Sequence, residues 1–241
     1  MRFAVFLFLL LFFLPIYSQK ILLDKDITKA YKKVQGPNTK SFGQLYIGTG
    51  FIFSQSGENE IPVKNFSSKY STFGYRQKFK IFSFYSVGFE AEYNLRQFNL
   101  KQSADKLFPD TVIHDKEKIK LHSAELAFYN RFNFDKRGNV IGKYIDIGAF
   151  IYYSFSTIHY TKDNFTDSEE EIDPESHAKV RIVKYSRLDY IEPFGYGVYA
   201  KAGIDWFAIK VTYRISDIFK DSYNWNELPG LSVGFEVSFP N

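Results

Sequence analysis

From Gln44 onward, apolar residues return at every second position, and the three-to-four spacing of a helix face is nearly absent. A period of two places alternate side chains on opposite faces of a strand, which restricts the chain to β-sheet. The segment Phe84 to Arg96 shows the pattern best. Tyr85, Val87, Phe89, Ala91, Tyr93 and Leu95 share one face, and Ser86, Gly88, Glu90, Glu92, Asn94 and Arg96 share the other. The same split predicts eight strands, at about 44–55, 70–80, 83–99, 119–134, 143–160, 190–204, 206–219 and 231–239.

Connection lengths alternate along this series. Long loops are expected over Leu100 to Lys118, Thr161 to Leu188 and Lys220 to Gly230, and short turns near Lys80 to Ser83, Asp135 to Asn139 and Ile204 to Trp206. An even strand number with such alternation is the plan of a bacterial outer-membrane barrel. The expected fold class is therefore all-β: an eight-stranded antiparallel up-and-down transmembrane β-barrel with short periplasmic turns and longer extracellular loops. A soluble secreted β-barrel binding a small apolar ligand, or a secreted β-sandwich, shares the alternation and is the competing reading.

Which face points outward is decided by composition. The polar face carries Gly48, Gly50, Gly74, Gly88, Gly148, Gly195, Gly197, Gly203 and Gly234. Glycine weakens an exposed strand but suits a place where other groups come close, as inside a narrow barrel. The apolar face draws on 27 Phe and 18 Tyr, more rings than a soluble core of 241 residues needs. Lipid is thus expected outside. Two aromatic girdles follow: Phe79, Phe82, Phe132, Phe134, Tyr144 and Trp206 near the short turns, and Tyr185, Tyr190, Phe219, Tyr223 and Trp225 near the long loops.

In that register the lumen receives Arg76, Lys78, Arg96, Arg131, Lys201, Lys210 and Arg214, facing Glu90, Glu92, Glu125, Asp146 and Glu236. Buried charges are tolerated when paired, so these residues are expected to form an ionic network that fills the barrel and leaves no wide pore. A sharper expectation is a narrow gated conductance through pairs such as Glu90 or Glu92 with Arg76 or Lys78.

Residues 1–18 combine Arg2, the apolar run Phe3 to Leu14 and Pro15 before Ser18, the pattern of a cleaved signal peptide. Residues 19–43 are expected to form an N-terminal periplasmic segment with a short helix-compatible stretch, and residues 44–241 the barrel. The absence of cysteine excludes disulfides, thiolate metal sites and an acylated N-terminal cysteine. A net charge of +4, evenly spread, argues against nucleic acid.

Little points to chemistry. His122, Ser123 and Glu125 suggest a lipid-modifying barrel enzyme, but adjacent strand residues point to opposite faces. The acidic run Asp163 to Glu175, flanked by His159 and His177, offers oxygen ligands for Ca²⁺ without the glycine and regular spacing of an EF-hand loop. No cofactor and no catalytic or metal-binding residue is expected.

The segments Val211 to Phe219 and Leu228 to Phe239 resemble the last hairpin of small outer-membrane β-barrel proteins of the Bacteroidota, a group including PorT-like and OmpA-like eight-stranded barrels. The resemblance implies insertion by the barrel-assembly machinery and carries no site residues. The expected role is a non-enzymatic structural or interaction component, bathed in outer-membrane lipid, meeting a protein partner through loops 100–118 and 161–188.

Overall fold

The computed structural model describes residues 37–54, 60–104, 106–134, 140–164, 180–223 and 225–240. The expected signal peptide and most of the N-terminal segment, the turn at 135–139 and most of the acidic run lie outside the described residues. Among the described residues nine antiparallel strands occur in chain order: β1 (Ser41–Phe53), β2 (Lys69–Lys80), β3 (Tyr85–Asn99), β4 (Lys116–Asn133), β5 (Lys143–Asn164), β6 (Val180–Ser186), β7 (Phe194–Ile204), β8 (Phe207–Arg214) and β9 (Leu231–Pro240). Eight of them close into a barrel, because β1 pairs with β9 as well as β2, and β5 pairs with both β4 and β7.

The ninth strand corrects the expectation of a plain loop over 161–188. β6 pairs only with the upper part of β5, from Ile158 to Asn164, and prolongs that side of the barrel wall. β5 is correspondingly long, at 22 residues. Two strands are shorter than expected, for one reason. The stretches 190–193 and 215–219 fold inward, burying Ile191, Ile218 and Phe219.

The barrel is inside out relative to one that holds its shape in water. Phe73 is 54% exposed, Ile151 61% and Phe207 65%, whereas Arg76, Glu90 and Asp146 are 1% exposed or less. Each apolar side chain left in water forgoes about 25 cal/mol per Å², so a wall of this kind suits lipid. On β4 the apolar outward row runs from Ala124 through Leu126, Phe128 and Phe132 to Phe134 just past the strand. Ten steps of ~3.3 Å each, tilted by ~40°, give a belt ~25 Å tall, the height of a bilayer-spanning band. This is a transmembrane β-barrel architecture.

One irregularity marks the upper edge of the belt. The register of β4 against β5 shifts between His122 and Ser123, so that His122 faces Ser156 and Ser123 faces Ser154, leaving Phe155 as a bulge. At the opposite rim the tight turn between β7 and β8 places Asp205 at φ 52°, a conformation an aspartate tolerates. Its carboxylate accepts a hydrogen bond from the Gly142 amide at 3.1 Å, joining that turn to the start of β5.

Candidate functional site

The interior at belt height is ionic. Arg76 on β2 donates to Glu90 on β3 at 2.5 Å and to Glu236 on β9 at 2.6 Å. Lys201 on β7 reaches across the lumen to the same two carboxylates, at 3.0 Å and 2.8 Å. Lys210 on β8 lies 3.5 Å from both Glu92 and Glu236. Glu92 also accepts hydrogen bonds from Tyr46 at 2.5 Å and from Thr72 at 3.3 Å. Two further pairs flank this centre: Arg96 with Glu125 at 2.7 Å, and Arg131 held by Asp146 through two hydrogen bonds of 2.7 Å. Five cations, Arg76, Arg96, Arg131, Lys201 and Lys210, thus meet five carboxylates, Glu90, Glu92, Glu125, Asp146 and Glu236. The desolvation of each charge is offset by an opposite one.

Two of the lumen cations end elsewhere. Lys78 meets no carboxylate among the described residues; its ammonium donates to the carbonyl of Pro37 and lies 5.8 Å from the Phe42 ring centre, near the rim with the short turns. The suggested pairing of Lys78 with Glu90 or Glu92 is therefore corrected. Lys78 stands at the rim and they stand at mid-barrel. Arg214 turns toward the long loops, donating to the carbonyls of Ser216 and Leu228 and lying 3.4 Å from Glu227.

Sequence reasoning missed a second interior set, six inward tyrosines. Tyr46, Tyr70, Tyr129, Tyr144, Tyr152 and Tyr199 are buried, and the register sets each directly across from a glycine: Gly74, Gly50, Gly88, Gly203, Gly195 and Gly148. A Cβ at Gly203 would lie 2.2 Å from the Tyr144 ring, and one at Gly195 2.3 Å from Tyr152. The glycines are spaces for these rings. The rings in turn seat the guanidinium groups, with Arg131 3.7 Å from the centre of Tyr144 and Arg76 4.4 Å from that of Tyr46. Tyr144 therefore belongs to the interior and not to the girdle near the short turns. The signal was a tyrosine on the glycine face, as Tyr46 stands between Gln44 and Gly48.

Above the ions the interior turns apolar. Ile52, Phe98, Ile119 and Leu121 point inward from the strand ends, and Ile61, Val63, Leu100, Phe108, Leu188, Ile191, Ile218, Phe219 and Leu228 fold in from the loops to join them. Phe108 packs against Phe219 at 4.7 Å and Trp225 at 4.8 Å between ring centres. Tyr190, Phe219 and Trp225, expected as a lipid-facing girdle, belong instead to this cap over the mouth. Burial raises the Tyr190 phenol well above its ordinary pKa, with the nearby Glu117 carboxylate adding to the effect.

Glu117 stands seven residues beyond Ala124 on β4, clear of the apolar belt. It accepts hydrogen bonds from Gln102 at 2.7 Å and meets Lys106 at 2.7 Å and His159 at 2.8 Å. Burial alone would raise its pKa, but hydrogen bonds from His159, Lys106 and Gln102 hold it below the ordinary carboxylate value. This polar clamp ties the loop after β3 to β4 and β5.

The suggested enzyme constellation is not assembled. His122 faces outward, bonded to the Tyr93 hydroxyl at 2.6 Å, while Ser123 and Glu125 face inward around Arg96. Of the acidic run, Asp163 meets His114 at 2.8 Å and Arg181 at 3.1 Å, and no group of three metal-ligating side chains occurs among the described residues.

No protein-family model matches the chain, and no curated protein matches it. Among solved structures it is similar to two of Ail, the attachment invasion locus protein of Yersinia pestis. One, in complex with the heparin analogue sucrose octasulfate, is 10% identical, with a TM-score of 0.32 over 83% of this chain and 96% of Ail. The other is 10% identical, with a TM-score of 0.30 over 85% and 96%.

Proposed function

We propose that the chain is an integral outer-membrane protein, exported by a signal peptide at residues 1–18, whose closed barrel is a structural or interaction component with no wide pore and no catalytic site. The observation that carries this reading is the pairing of an apolar outer belt with an interior occupied by ions at belt height and by the aromatic cap above. A barrel of eight strands is just wide enough for such side chains, which leaves the loops as the surface free to act.

Those loops carry features suited to a partner. Leu107, Val112 and Ile113 are exposed on the segment 100–118, beside a pocket of about 160 Å³ lined by Ile61, Leu100, Phe108 and Trp225. Exposed apolar groups on a segment clamped through Lys106 fit a protein-contact role for loops 100–118 and 161–188. The likeness of the last hairpin to PorT-like barrels of the Bacteroidota accords with this reading.

The test combines fractionation with conductance. The folded protein is expected in the outer-membrane fraction, with a gel mobility that shifts on heating, and planar bilayers holding it should show no conductance. Monodisperse behaviour in detergent-free buffer, or steady ion current from the unmodified barrel, overturns the reading.

A further inference from the structure

Six lysines gather on the outer wall just above the belt. Lys116, Lys118 and Lys120 alternate along β4 immediately beyond the outward-facing His122. Lys69 on β2 joins them through Gln97, its partner across the ladder, which also faces Lys120. Lys162 on β5 is paired directly with Lys116, and Lys184 on β6 flanks Tyr160 opposite Lys118. The ammonium groups of Lys118 and Lys184 lie 4.4 Å and 6.0 Å from the same Tyr160 ring centre.

Among the described residues nothing neutralises this group. Lys69, Lys116, Lys120 and Lys184 all repel the Lys118 ammonium. Among the described residues no carboxylate forms an ion pair with any of the six; Asp163 pairs with His114 and Arg181, and Glu117 points inward to Lys106 and His159. Like charges directly opposed in a ladder are destabilising, so the cluster calls for an external anion.

The wall below indicates what that anion is attached to. A shallow groove of about 700 Å³ runs along the outside of the barrel, with Ala91 and Ala124 as its floor and Phe73, Tyr93, Leu126 and Tyr153 among its walls. Ala124 is four residues below Lys120 on β4, a vertical step of ~10 Å for a tilted strand. An amphipathic molecule with its chains in the groove would present its headgroup to the lysines.

Resting on the membrane reading above, we propose that Lys69, Lys116, Lys118, Lys120, Lys162 and Lys184 form a binding site for phosphorylated lipid of the outer leaflet, its acyl chains lying over Ala91 and Ala124. The ammonium groups hold the phosphates as point charges, and the groove supplies the apolar contact that a soluble phosphate lacks.

The experiment is native mass spectrometry of the folded barrel in neutral detergent, with bisphosphorylated lipid A as probe and its dephosphorylated form for comparison. A lysine near an anionic surface contributes roughly fivefold in affinity. The variant carrying Lys116→Gln, Lys118→Gln, Lys120→Gln and Lys162→Gln is therefore expected to bind the bisphosphorylated lipid at least about tenfold more weakly than wild type. A control carrying Lys143→Gln and Lys220→Gln should be unchanged, and the dephosphorylated lipid should bind wild type as weakly as the phosphorylated lipid binds the quadruple variant. Ala124→Trp, which fills the groove, should weaken lipid binding and leave inorganic tripolyphosphate binding unaltered. Equal binding by the quadruple variant, or tripolyphosphate bound as tightly as the lipid, overturns the assignment. Heat-shifted migration is followed for every variant; its loss in wild type defeats the membrane reading itself, whereas a retained shift with unchanged lipid binding defeats only the lysine site.

Discussion

The interior at belt height and the interior beneath the loops are built by the same strands with opposite chemistries. On β4 the inward side chains below the bulge are Ser123, Glu125, Tyr129 and Arg131, and the outward ones Ala124, Leu126 and Phe128. Above it the inward ones are Leu121, Ile119 and, last, the clamped Glu117, and the outward ones Lys120, Lys118 and Lys116. β3 inverts in the same way, from Glu90, Glu92 and Arg96 inside to Phe98 inside, while Gln97 and Asn99 replace Phe89 and Tyr93 outside. The period of two is unbroken and only its polarity is exchanged. What surrounds the wall sets what fills it: where lipid covers the outside, polar groups are left for the interior, and where water covers it, the apolar groups retreat inward. The strand therefore reads as a membrane barrel below and a water-soluble one above.

The largest effect should come from unpairing an ion at belt height. Arg131→Ala leaves Asp146 buried without its partner and is expected to cost about 3–5 kcal/mol in urea unfolding from lipid vesicles. Adding Asp146→Ala should recover part of that loss. Next, Phe128→Arg places a charge near the middle of the lipid-facing wall and should cost about 2–4 kcal/mol. The matched change above the bulge, Lys118→Leu, should alter stability by no more than about 0.5 kcal/mol. Equal effects at the two positions would break the division at the bulge.

Gly50→Ala tests the tight packing of the lower interior. A Cβ there would meet the Val233 carbonyl oxygen at 2.4 Å and the Gly234 Cα at 2.5 Å, so a loss of about 1–3 kcal/mol is expected by the same unfolding assay. The smallest effect concerns the upper interior and acid. Glu117 has its pKa lowered in the fold, so its clamp contributes fully above the ordinary carboxylate pKa and is lost as pH falls through the lowered value. Trp225 emission should report a loosened cap in acid before the barrel unfolds, and Glu117→Gln should flatten that dependence.

The closed eight-stranded barrel and the facing of its strands were legible in the sequence, because Phe, Ile and Val on one side and Gly, Glu and Arg on the other leave one arrangement for a narrow barrel. The pairing among the charges was not. Glu90 and Glu92 share a face and differ by one step, and only the register across the lumen sends one to Arg76 and Lys201 and the other to Lys210. The cap was hidden for a different reason. Ile218, Phe219 and Trp225 belong to connections whose direction is set by where the wall ends, so rings that pack inward over the mouth read as rings beside lipid. β6 was missed because Val180 to Ser186 mixes Arg181 and Lys184 into a short run beside an acidic segment, a composition that suggests a loop.

The tyrosines opposed to glycines bear on how such a wall is put together. A slip of two residues between β1 and β2 keeps every side chain on its proper side, yet it brings Tyr46 against Thr72 or Arg76 in place of Gly74. Faces alone cannot reject that misalignment; a ring with nowhere to go can. The six keys lie on three seams, β1–β2, β3–β4 and β5–β7, and would leave those seams open and uneven in a mispaired intermediate until their rings seat.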